Sequence, residues 1–316
     1  MKKQLLVGIL IGAAGAACAF VLADQFRPSA PSAPTSLPKK VQASGAFTPR
    51  SAADAPDDAY GDAVRLGEQL ISDTATHAPQ YVGNGLKCGN CHLDAGLKAG
   101  AAPLWAAFVN FPAFRAKNGE INTFQKRVQD CFLYSLNGTP PPLGSRELIA
   151  IESYAAFMAR GLPSGVSPAG RGFPAIDPPP LAPDDRRGGE VYARNCSACH
   201  GEDGAGQKIA GGPVYPPLWG AQSYNWGAGM ARIDKAAAFI RANMPQGSEG
   251  SLSVQEAWDV AHYIDGKVRP QDPRFTTSAG ATRGRHHDTP YSRYGMVVSG
   301  ALLGDPSATP PSGPVR

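Results

Sequence analysis

Cys88-Gly89-Asn90-Cys91-His92 and Cys196-Ser197-Ala198-Cys199-His200 decide the reading of this 316-residue chain. Each is a Cys-x-x-Cys-His motif, the attachment signature of c-type haem. Two thiols three residues apart lie on one helical turn and reach the two vinyl groups of a single porphyrin. The adjoining His then lies under the iron as its proximal ligand. A redox dithiol needs no His and would rarely recur in a matched context. A zinc site pairing the two motifs would leave the helical plan around each unexplained. Two covalently bound haem c groups are expected, attached at Cys88, Cys91, Cys196 and Cys199, with His92 and His200 as iron ligands.

The sequence around each motif follows one plan. Before the first lies a helical pattern, Ala63-Val64, Leu66-Gly67 and Leu70-Ile71, and after it a closing one, Leu148-Ile149, Ile151, Tyr154-Ala155 and Met158. Gly161 and Pro163 stop that helix. Before the second motif come Gly189, Val191 and Tyr192. After it comes a helix opened by Ser253-Val254-Gln255-Glu256, a capping-box pattern, and continued by Trp258, Val260-Ala261 and Ile264. The expected fold is all-α: two tandem cytochrome c-like domains, residues 57–162 and 184–275, after an N-terminal export or anchor segment. The Pro- and Gly-rich run 163–183 reads as the linker between them. Residues 27–56, rich in Pro, Ala and Ser, read as a flexible tether. Residues 276–316, polar and without strong periodicity, are expected to be a poorly ordered tail that includes His286 and His287.

Lys2 and Lys3 precede an apolar stretch, residues 5–23, that holds no charge. It is long enough to span a bilayer, and Val21-Leu22-Ala23 also suits a cleavage site. Cys18 sits in a poor lipobox, because Gly15 stands where a Leu is usual. Anchored or cleaved, residues 1–26 place the folded part outside the cytoplasm, in the periplasm. The apolar fraction of 42% supports real cores, while 8% aromatics with 37 Gly and 30 Pro indicate much loop. A porphyrin in each unit would supply core volume that side chains otherwise provide. The net charge of +4 is mild, and no basic run of the kind that binds nucleic acid is present.

The distal ligands set what each haem does. For the second haem the candidates are Met230, Met244 and His262. Met244, in the turn-forming Ala242-Asn243-Met244-Pro245-Gln246-Gly247, is best placed to fold across an open haem face. His/Met ligation raises the reduction potential, which suits an electron-exit haem. In the first half, four of the six cysteines hold haem and Cys18 lies in the export segment, which leaves Cys131 alone. It is either a buried structural thiol or an iron ligand, and Met158, inside the closing helix, is the alternative ligand. Thiolate ligation would lower the potential of that haem. From residue 86 to 131 six cations (Lys87, Lys98, Arg115, Lys117, Lys126 and Arg127) face three acids, whereas residues 184–269 hold nine cations and ten acids. Positive charge therefore gathers near the first haem and suggests an anionic substrate there. Arg127 lies one turn before Cys131 and Ser135 one turn after, so all three can share a helix face.

Over most of residues 57–275 the chain resembles the dihaem thiosulfate dehydrogenases. The resemblance rests on Cys88 through Gly96, Ala102-Pro103-Leu104-Trp105, Phe111-Pro112-Ala113-Phe114-Arg115, and Arg127-Val128-Gln129-Asp130-Cys131 leading to Ser135-Leu136-Asn137-Gly138. It implies His/Cys ligation of the first haem, with Cys131 the distal ligand at the substrate site. Arg127 and Ser135 match basic and hydroxyl residues of that site, and a further basic residue corresponds to Arg115 or Lys117. It also implies Met244 as the second distal ligand. Some members have a Lys beside this Met that swaps onto the iron; here Asn243 stands there, so that switch should be absent. The implied activity is oxidation of thiosulfate to tetrathionate, with electrons passed to a soluble cytochrome c or similar acceptor. Competing readings are a tetrathionate reductase of the same family, a dihaem electron carrier without catalysis, and a SoxA-like subunit of a sulfur-oxidising complex.

Overall fold

The computed structural model describes residues 42–43, 47–209, 212 and 214–307. The described residues all belong to one compact unit. The expected export or anchor segment, residues 1–26, lies outside the described residues, among which no helix is long and apolar enough to cross a membrane. The fold is helix-rich, and among the described residues the strands form four two-stranded ladders of two or three residues per strand.

Helix α1 (Ala59–Ser72) begins at Asp58, whose carboxylate accepts the Gly61 N–H, and it buries Val64, Leu70 and Ile71. After the short helix α2 (Phe124–Asp130), helix α3 (Arg146–Met158) begins at Ser145, which accepts the Leu148 N–H. α1 and α3 pack directly together. They meet at Gly67, where a Cβ would stand 2.2 Å from the Ala150 carbonyl oxygen, so only glycine permits the approach. The second half repeats this device. Helix α4 (Asp185–Asn195) meets helix α6 (Val254–Asp265) at Gly188, where a Cβ would lie 2.1 Å from the Asp259 carbonyl oxygen. Between them in sequence runs α5 (Ile233–Asn243). The capping box forms as expected: Ser253 Oγ accepts the Glu256 N–H, and Glu256 Oε2 accepts the Ser253 N–H at 2.9 Å.

The two halves are not beads on a string. Tyr224, Trp226, Ala228 and Ala231 of the second half complete the apolar core of the first. The run 163–183, read as a linker, is a strap: Gly100 donates to the Gly170 carbonyl at 2.7 Å and Ala102 to that of Gly172 at 2.9 Å. Phe173 meets Phe239 edge to face at 5.2 Å, and the Trp258 indole donates to the Asp177 carbonyl. On the strap these hydrogen bonds use only backbone carbonyls, so no side-chain pattern announces them.

Two further expectations are corrected. The C-terminal stretch is folded from 276 to 307: helix α7 (Ala279–His286) and a pair of short antiparallel strands (Val297–Val298 and Ala301–Leu302) form there. Tyr294 and Leu303 are buried in the core. His287, assigned to the disordered tail, is buried, stacks on Tyr294 at 4.3 Å and bonds Asp272 Oδ2 at 2.8 Å. Within the proposed tether 27–56, residues 47–56 pack down. Phe47 lies against Trp105, with ring centroids 5.1 Å apart, and Ala52 and Ala55 are buried. In both places a few apolar side chains docking on an existing surface suffice, without any periodic pattern of their own.

Candidate haem and substrate site

The first Cys-x-x-Cys-His motif follows directly from α1. Thr74, two residues past its end, donates to the Leu70 carbonyl at 2.7 Å and accepts the Cys88 N–H at 3.1 Å, which ties the motif to the helix. Cys88–Asn90 form a 3-10 turn, and His92 N–H donates to the Cys88 carbonyl. The imidazole is then oriented: His92 Nδ1 lies 2.6 Å from the Ala102 carbonyl oxygen. A carbonyl only accepts, so Nδ1 carries the hydrogen and Nε2 presents a lone pair. The second motif is built alike, with His200 N–H on the Cys196 carbonyl and His200 Nδ1 2.9 Å from the Pro216 carbonyl oxygen. Cys88, Cys91, Cys131, Cys196 and Cys199 are all free thiols, so neither motif is closed as a disulfide. Paired thiols beside an imidazole whose free nitrogen is set for a metal fit haem c in both places.

Cys131 completes the first site. It follows α2, which Thr123 caps, and opens a wide π-type turn, Cys131–Ser135. Arg127 Nη1 donates to its sulfur at 3.0 Å. Burial pushes the thiol up, but opposing influences led by the Arg127 charge bring it from 9.0 down to about 7. Cys88 and Cys91, buried without such a partner, are pushed up to about 12. Of the three thiols here, Cys131 is the one whose surroundings favour the thiolate. Met158, the alternative ligand, is fully buried in α3 as core.

Two cavities meet here. The inner one is lined by Cys88, Cys91, Ser135, Tyr224 and Met230 among others. The outer cleft, about 1080 Å³, is lined by Arg115, Arg127 and Arg171, and further out by Lys235, Trp258 and Arg293. His92 and Cys131 line both. Among the described residues no ion pair involves Arg115, Arg127 or Arg171, whereas the cleft's Lys235 and Arg293 are taken by Asp234 and Asp185. Burial, then the neighbouring charges of Arg127 and Arg171, hold the Arg115 guanidinium below its ordinary value. Three guanidiniums that repel one another across an opening make an anion site.

The structure separates residues that the sequence left together. Of Arg115 and Lys117, only Arg115 lines the cleft. The Lys117 ammonium donates to the Gly227 carbonyl at 2.5 Å and sits 3.8 Å over the Tyr134 ring. Desolvation, then Arg274 and Arg127, lower it to about 8. Ser135 does not share the outer cleft with Arg127. The π turn, in which Leu136 N–H reaches back five residues to the Cys131 carbonyl, carries Ser135 round to the inner cavity. Arg171 is the residue that sequence reasoning missed; its one signal is a lone cation between glycines in Gly170-Arg171-Gly172.

At the second motif, Met244 ends α5 in an extended conformation and packs, half-buried, on the cluster that includes Val191, Tyr192 and Cys196. Met230, on a 3-10 turn, touches that cluster and the first half's core alike. His262 is held by Asp185 and Arg293, in a structural role. Asn243, beside Met244, donates across to the Gly100 carbonyl at 3.2 Å.

A helix-rich fold carrying haem-attachment motifs with oriented imidazoles defines a c-type cytochrome, here with a cationic cleft at one site. Residues 183–264 match the family model described as cytochrome c oxidase, cbb3-type, subunit III. The chain is 52% identical to a thiosulfate dehydrogenase of Thiomonas intermedia (strain K12), over 84% of each chain. It is 44% identical to a thiosulfate dehydrogenase of Stutzerimonas stutzeri (strain A1501), over 96% of this chain and 99% of that one. Among solved structures, thiosulfate dehydrogenase (TsdBA) from Marichromatium purpuratum superposes with a TM-score of 0.79 at 45% identity, covering 83% of this chain. This chain spans 58% of that solved chain. The chain belongs to the thiosulfate dehydrogenase family.

Proposed function

We infer that the protein carries two haem c groups, held at Cys88, Cys91 and His92 and at Cys196, Cys199 and His200, and oxidises thiosulfate at the first. Cys131 and Met244 are the distal ligands in this reading. The observation that carries it is the Arg127–Cys131 contact at 3.0 Å, opening onto a cleft where Arg115 and Arg127 form no ion pair among the described residues.

Two thiosulfate dianions couple through their outer sulfurs to give one tetrathionate dianion and two electrons. Haem c, when bound, supplies the one-electron acceptors that take those electrons away. The residues do the rest. Arg115 and Arg127 lower the cost of bringing two dianions together. Arg127 also stabilises the Cys131 thiolate, which bonds the outer sulfur of the first thiosulfate as two electrons leave. The second thiosulfate attacks that sulfur. The bond to Cys131 breaks, tetrathionate departs, and the Cys131 thiolate is regenerated with Arg127 still beside it. No proton is released or consumed in this sequence. Electrons exit through the second site to a soluble cytochrome c or similar acceptor. The apolar segment 5–23 supports export to the periplasm, as an inner-membrane anchor or a cleaved signal.

The test uses haem-loaded protein mixed anaerobically with thiosulfate. Haem reduction is followed in the visible spectrum, and tetrathionate is assayed with an artificial acceptor present. Reduction with tetrathionate formed is expected, and Cys131→Gly should abolish turnover with both haems still attached. A fully active Cys131→Gly variant would sink the covalent role, and no reduction by thiosulfate would sink the activity.

A further inference from the structure

The outer cleft holds a cation that the reaction above leaves unused. The two cavities share four lining residues, His92, Leu104, Val128 and Cys131, so the imidazole and the thiol stand at their junction. Cys88 and Cys91 line the inner cavity alone, and Arg115, Arg127 and Arg171 line the outer cleft alone. A haem bears its vinyl groups and its two propionates on opposite edges. With the vinyl edge bonded to Cys88 and Cys91, the propionate edge would face the cleft.

Two of the guanidiniums reach the cleft from the thiol side. Arg127 is hydrogen-bonded to Cys131, and Arg115 ends a short strand (Ala113–Arg115) that pairs with another (Glu120–Asn122) just before α2. Arg171 comes from the imidazole side. The carbonyls of its two neighbours, Gly170 and Gly172, accept the N–H groups of Gly100 and Ala102, and Ala102 is the residue whose own carbonyl orients His92. Gly170 (φ 82°) and Gly172 (φ 74°) take left-handed conformations, and a Cβ on Gly170 would stand 2.7 Å from that of Ala99. The strap is thus fastened to the loop that carries the proximal ligand, and Arg171 is the side chain it presents.

We propose that Arg171 binds a propionate carboxylate of the haem attached at Cys88 and Cys91, so that segment 163–183 clasps the substrate haem and raises its reduction potential. The inference rests on the ligation of that haem by His92 and Cys131. A guanidinium fork matches a carboxylate in two parallel hydrogen bonds. Neutralising a carboxylate close to the iron disfavours the ferric state. The clasp therefore opposes the lowering of potential that thiolate ligation brings, which helps the first haem accept electrons from thiosulfate.

The experiment needs no substrate. Full-length protein loaded with both haems is titrated anaerobically in a spectroelectrochemical cell, as wild type, Arg171→Gln and Arg171→Lys. Arg171→Gln should lower the midpoint of the thiolate-ligated haem and leave the second haem unmoved. Arg171→Lys, which keeps the charge, should recover most of the shift. Should Arg171→Gln fail to retain the first haem while Arg171→Lys retains it, the clasp is supported by the same charge dependence. Two loaded variants with unmoved midpoints overturn it, and a several-fold rise in KM with an unmoved midpoint makes Arg171 a substrate contact instead. A shifted midpoint in protein inert toward thiosulfate would refute the proposed activity and leave the clasp standing.

Discussion

Replacing Arg127 by Gln removes one charge and one hydrogen bond while leaving a side chain of similar reach. In the native site Nη1 stands 3.0 Å from Cys131 Sγ, and that guanidinium is the largest influence lowering the thiol against its burial. A hydrogen bond to a charged group contributes about 1.5–3 kcal/mol. At 1.36 kcal/mol per factor of ten, its loss in the transition state alone predicts a fall of about 10- to 150-fold in kcat/KM. Arg127→Lys should fall between, because an ammonium restores charge without the planar fork. The assay is steady-state thiosulfate oxidation with an artificial acceptor, with both haems counted and the second haem's spectrum checked so that misfolding is seen. An Arg127→Gln enzyme within threefold of wild type would refute the claim that this contact powers the chemistry.

Two further outcomes follow from the same structure. With Met244 the proposed distal ligand, Met244→Ala should lower the midpoint of the haem held at Cys196 and Cys199 and alter its spectrum while the haem held at Cys88 and Cys91 is unchanged; if nothing moves, Met230 becomes the ligand to test, since it packs on the same cluster. Gly188→Ala should destabilise the second half by about 1–3 kcal/mol, because its Cβ would overlap the Asp259 carbonyl where α4 crosses α6. Denaturant unfolding of the loaded protein checks it, with Gly284→Ala as the control, since a Cβ there meets nothing within 4 Å. Equal losses from both would refute the close-packing account.

Much of the site was legible before any fold was known. The two Cys-x-x-Cys-His motifs state their chemistry in five consecutive residues, because one turn of chain sets both thiols and the imidazole against one porphyrin. The capping box at Ser253 and Glu256 is equally local, and it forms as read. Cys131 was reachable by elimination and resemblance, as was its company with Arg127, four residues away on one helix. Ser135, also four residues away, was misplaced because a π turn intervenes, and nothing in its sequence marks the change of pitch.

What escaped had a common cause. The strap 163–183 and the stretch 276–307 carry no periodicity, since they are fastened by backbone hydrogen bonds and isolated docked rings. Arg171 sits in such a segment, and its meaning depends on Gly100 and Ala102, some seventy residues earlier in the chain. The choice between Arg115 and Lys117 turned on where one short β-ladder aims, which no count of charges reveals. Local covalent spacing dictates which groups can hold a haem, and it is written in the chain. Which cations gather at the cleft beside Cys131 is decided by contacts between distant segments, and those exist only once the halves have packed together.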